Sequence, residues 1–153
     1  MVRQTHLQAS RATGFTTLEL LIALTIVGLL ISVAVLSWYD HAVAKERRHA
    51  WLALQDVADW QLGQQRQFGQ FSTGPLPIRQ SPAEGDPAYT LSLAPQAVKP
   101  NSPELVFPAS DAAGFTLQAT PADAEDPCGV LLLNHLGQRG VTGAKPLRDC
   151  LPK

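Results

Sequence analysis

At 153 residues the chain has room for about one domain. It is 45% hydrophobic and 16% charged with a net charge of −1, so no global field draws it to nucleic acid or anionic lipid. All 12 prolines lie at or after Pro75, which sets a proline-free helical part apart from a proline-punctuated head.

Residues 1–14 form a short basic leader, with Arg3 and Arg11 and no acid, ending at Gly14. Phe15 then opens an apolar stretch that holds one carboxylate, Glu19. The 20 residues from Leu20 to Tyr39 carry no charge. At about 1.5 Å per residue they cover about 30 Å, the thickness of bilayer hydrocarbon. That is too long for the core of a cleaved secretory signal, and no small-x-small cleavage site follows it. A plain signal anchor fits the length but explains neither Glu19 nor the glycine before Phe15. Arg3 and Arg11 favour a cytoplasmic N-terminus, while Lys45, Arg47 and Arg48 argue mildly against it. Cys128 and Cys150 favour export of the C-terminal part, where a disulfide is the default state.

A carboxylate in a membrane helix costs on the order of 3 kcal/mol at the centre and less near the interface. Snorkelling to the headgroups is one remedy. Another is a cation. Cleavage after Gly14 would give Phe15 an α-ammonium one helical turn from Glu19, equally open to a neighbouring copy. In lipid such a pair is weakly screened and would fix the axial register of packed helices.

Residues 40–68 are rich in helix formers, so the helix should continue past the membrane. Val43, Ala50, Trp51, Leu54, Val57, Ala58, Leu62 and Phe68 share a broad stripe expected to pack on the head, interrupted by Arg47, Gln61 and Gln65. Trp60 falls on the opposite face and Leu52 off the stripe, which slightly favours a partner surface there. Gly69 and Gly74-Pro75 end the helix.

Residues 72–88 read as a polar loop. Strands follow at Tyr89–Leu93, Phe115–Ala119 and Gly129–Leu133, with at most an edge strand at Leu105–Phe107 between two prolines. His135-Leu136-Gly137 reads as a hairpin turn leading into Arg139–Thr142. The expected class is α+β, a long N-terminal helix whose second half packs on a small antiparallel sheet.

The chemistry of catalysis is missing from the pattern. No nucleophile elbow, phosphate loop or paired carboxylates stand out, so no catalytic group is named. His41, His49 and His135 lack metal-ligand spacing, and two cysteines do not make a zinc site. Asp123, Glu125 and Asp126 are compatible with calcium, but a solvated acidic loop is the commoner reading. Arg139, Lys145, Arg148 and Lys153 form a modest basic cluster without interleaved aromatics, weak grounds for nucleic acid.

Gly14-Phe15-Thr16-Thr17-Leu18-Glu19-Leu20-Leu21-Ile22-Ala23-Leu24 resembles the class III signal sequence of type IV pilins and type II secretion pseudopilins. The resemblance implies a pilin fold, cleavage between Gly14 and Phe15 by a prepilin peptidase, and N-methylation of Phe15, which keeps the charge of the amine. It implies that Glu19 guides docking with other pilin subunits through the N-terminal helix. The Cys128…Cys150 pair resembles the disulfide-bounded C-terminal region of pilins. Leu36 departs from the family by standing where many pilins have proline, which leaves Gly28 as the candidate weak point of the helix; Thr17 replaces a larger aliphatic.

The implied organisation is a cleaved leader (1–14), a transmembrane half-helix (15–39), an amphipathic half-helix (40–71) and a sheet head (72–153). The implied function is a structural subunit of a type IV pilus, more a minor than a major pilin, with no cofactor. It would sit in the inner membrane with its head in the periplasm, meet the inner-membrane assembly platform, and then join the surface pilus. A type II secretion pseudopilin is the alternative, and a pilus-borne DNA or surface receptor a lesser one.

Overall fold

The computed structural model describes residues 16–102 and 104–152, and of residues 33–40 the backbone alone. The chain divides after Tyr39 into two units, residues 1–39 and 40–153. Helix α1 runs Thr17–Phe68. It ends where the sequence places its stop. Gly69 takes φ +75°, open to glycine at low cost, and its N–H still reaches Gln65 O at 2.8 Å.

In the second unit one face of α1 is buried through Ala50, Trp51, Leu54 and Val57, with Val43, Ala58 and Leu62 half-buried at its margins. Phe68 does not join them and is 61% exposed. The chain reverses at Gly69, and Phe71 enters the core instead, edge-on to Phe115 at 5.1 Å. Trp60, expected on the far face, is half-buried against the core margin, because it lies three residues from buried Val57 and seven from half-buried Ala53, along the other edge of the same face; Leu52 is exposed as expected. Arg47 and Gln61, expected as interruptions, are both buried and both bonded.

The sheet is an antiparallel meander in chain order: β1 Gln80–Ser81, β2 Tyr89–Leu93, β3 Thr116–Pro121, β4 Leu131–Asn134 and β5 Arg139–Val141. Its register puts Leu91 beside Ala119, Leu117 beside Leu133 and Leu131 beside Val141 on the face that meets α1. β4 is buried at every position, which explains its continuous apolar run. Its other face is covered by Phe107, which the isolated Val98–Phe107 bridge holds in place. The stretch read as loop at 72–88 contains β1, two residues that pair with an otherwise open edge of β2. A single helical turn, α2 Leu147–Cys150, was also not expected, being too short for periodicity to reveal.

Candidate functional site

Gly14 and Phe15, the expected processing site, lie outside the described residues. Thr16 is the first described residue, and it caps α1. Its carbonyl accepts the first helical N–H, from Leu20, at 3.1 Å. Its hydroxyl accepts the Glu19 N–H at 3.3 Å. Glu19 is therefore the third residue of the helix, exposed in the first turn, where a negative charge favours the helix dipole. The Thr16-x-x-Glu19 spacing is a capping-box signal legible in the sequence.

Around and after Glu19, ten large apolar side chains from Leu18 to Ile31 are at least half exposed. That much contiguous apolar surface on one element calls for lipid or protein around it. The hydroxyls within it are answered by the helix itself: Thr25 donates to Leu21 O and Ser32 to Gly28 O, both at 2.8 Å. Glu19 is the one charge between Thr17 and Ser32. Among the described residues no helix is long and apolar enough to cross a membrane. The uncharged run to Tyr39 extends into residues 33–40, whose side chains lie outside the described residues.

A second constellation binds α1 to the head. Asp126, expected in a solvated acidic loop, is instead drawn inward, its side chain 5% exposed. Arg47 Nη2 donates to Asp126 Oδ1 at 2.9 Å, Tyr89 Oη to Oδ2 at 2.6 Å and the Cys128 N–H to Oδ1 at 2.8 Å. Burial alone would raise the carboxyl; the Tyr89 hydroxyl, the Cys128 N–H and the guanidinium outweigh it and hold Asp126 below the ordinary carboxylate range. Tyr89 is pushed well above the ordinary phenol value, first by burial and then by the Asp126 carboxylate.

One turn along α1, Trp51 Nε1 donates to Cys150 O at 2.9 Å. Cys128 and Cys150 are joined in a disulfide, as the sequence suggested for an exported chain. The bond thus ties together the two segments that grip α1 at Arg47 and Trp51. Sequence reasoning missed this node, although a charged residue on a buried stripe was itself the signal that a partner had to exist.

The other candidates disperse. His41 and His49 are exposed, and His135 is half-buried among Phe71 and Phe115. Among the described residues no group of three or more His, Cys, Asp or Glu is placed to hold a metal ion. Of the basic cluster, Arg139 lies over the Trp51 ring at 5.6 Å, Lys145 is exposed, and Arg148 makes an exposed contact with Asp149 at 3.8 Å. Lys153 lies outside the described residues. In comparisons with known proteins, no family model and no curated relative matches the chain.

Proposed function

We propose that the chain is a filament subunit of the type IV pilin kind, cleaved after Gly14, anchored in the inner membrane through α1, and assembled by packing its N-terminal helix against other copies. One observation carries this reading. The apolar surface from Leu18 to Ile31 is unpartnered in the single chain and contains one carboxylate, placed in the first helical turn. The internally bonded hydroxyls of Thr25 and Ser32 suit apolar surroundings. The helix-then-sheet order and the disulfide at the end of the head are in keeping with a pilin, and the disulfide favours a pilus over a secretion pseudopilus. The Leu36 departure and the short head favour a minor pilin, one that joins or primes the filament.

Mass spectrometry of the protein from native membranes tests the reading. The expected chain begins at Phe15, carries one added methyl group, and lacks the two hydrogens of a Cys128/Cys150 dithiol. A chain that retains Met1 in cells with an active prepilin peptidase overturns it.

A further inference from the structure

Between α1 and the β4–β5 turn lies a cleft of about 340 Å³. Ala58, Leu62, Phe115 and Leu133 give it an apolar lining, and Asp59 and Arg139 add one charge of each sign. Neither charged side chain is hydrogen-bonded or ion-paired among the described residues. Arg139 is held over Trp51, which precedes Asp59 by just over two helical turns, about 12 Å along the axis. The cleft therefore offers one base and one acid beside an apolar lining.

The opposite face of the sheet carries the complementary set. Gly140 faces Phe107 and Pro100, while its neighbour Arg139 faces Trp51. Side chains alternate along a strand, so the Val98–Phe107 bridge covers the side of the sheet away from α1. That bridge is antiparallel, so the next opposed residues are Lys99 and Val106. Val106, next to buried Phe107, faces outward and is 56% exposed. Lys99 and Glu104 flank it, both exposed and neither bonded among the described residues. An acid, an apolar group and a base are thus exposed near one another along the chain, Lys99 across the bridge from Val106 and Glu104 two residues before it.

We propose that the cleft of one copy receives Val106 of the next copy, with Lys99 against Asp59 and Glu104 against Arg139. This rests on the filament-subunit reading and adds a contact between heads to it. Donor and acceptor lie on opposite faces of one sheet, so the contact is heterologous. It propagates from copy to copy instead of closing on itself as a two-fold dimer does. The charges set register and partner more than affinity. One valine and two half-solvated ion pairs are weak alone, and become effective when membrane helices already hold the copies close.

The test uses the full-length chain in native membranes. One copy carries Gln55→Cys, at the cleft wall; a co-expressed copy carries Val106→Cys. Mild oxidation is expected to give a disulfide-linked dimer in yield well above a Leu52→Cys/Val106→Cys pair, Leu52 being exposed outside the cleft lining. Asp59→Lys in the first copy should lower the yield about tenfold, and Lys99→Glu in the second should restore it. Yield equal to the Leu52 pair, or no rescue by the charge exchange, overturns the contact. The N-terminus of the same sample is read in parallel. A chain starting at Phe15 without the specific cross-link sinks the contact and leaves the filament reading standing. A specific cross-link in an unprocessed chain does the reverse.

Discussion

Asp126 gathers a guanidinium, a phenol and a backbone N–H on two oxygens, and the side chains of Arg47 and Asp126 are 10% and 5% exposed. Removing one partner of such a pair strands the other charge away from water. Asp126→Asn should therefore cost about 3 kcal/mol in urea unfolding, whereas Tyr89→Phe, which loses one bond to a charged acceptor, should cost about 2 kcal/mol. The pH dependence follows from the two shifts. Asp126 is depressed, so its contribution is complete above the unfolded value near pH 4 and drains as the pH falls through it. Tyr89 is raised, so its contribution is complete below about pH 10 and drains as the pH climbs beyond. These two groups should leave urea midpoints unchanged between about pH 5 and 9, and Tyr89→Phe should remove Tyr89's share of the alkaline fall. The sequence showed Arg47 and Gln61 as polar residues on an apolar stripe and stopped there. Their partners, Asp126 and the Ser72 backbone, are brought together only by the packed head, and nothing local in the acidic cluster distinguishes Asp126 from exposed Asp123 and Glu125.

Among the elements, those with a sustained period were legible and those defined by a few contacts were not. α1, β2 and the β4–β5 hairpin follow from helix formers, alternation and Gly137. β1 and α2 span two and four residues and are set by neighbours: β1 by the edge of β2, α2 by the disulfide at Cys150. Gln61 shows how the elements are joined. Its amide accepts the Ser72 N–H and donates to Ser72 O, both at 2.8 Å, so the returning chain is bonded as a strand would be. Two glycine substitutions separate local propensity from packing. At Gly63, within α1, an added Cβ meets nothing, so Gly63→Ala should stabilise by about 0.5–1 kcal/mol. At Gly143 the Cβ would fall on the backbone of Pro127 and Cys128, beside the disulfide. Gly143→Ala should therefore lower the thermal midpoint sharply, and matched midpoints for the two variants would refute this packing. Opening the disulfide with Cys128→Ala and Cys150→Ala should cost about 3 kcal/mol, and exposure of Trp51 to a fluorescence quencher should rise with it.

At the scale of the whole molecule, Glu19 admits two roles that a single substitution can separate. One is local. As the third residue of α1, capped by Thr16, it favours the helix start, and glutamine serves almost as well at that position in a capping box. The other is between copies, where its charge would neutralise the ammonium of a neighbouring Phe15 in a weakly screened medium, and glutamine cannot do that. If only the local role matters, Glu19→Gln is silent, and Thr16→Ala is the damaging change, worth about 1 kcal/mol of helix stability. If the filament reading holds, Glu19→Gln folds, inserts and is cleaved normally but enters fibres at least about tenfold less, the equivalent of about 1.4 kcal/mol. Co-expression with unmodified chain should leave the variant in the membrane fraction while the unmodified copies move into sheared fibres. Quantifying both by mass spectrometry in one preparation checks this. Equal ratios in membrane and fibre would reduce Glu19 to a helix cap and remove the electrostatic basis of assembly.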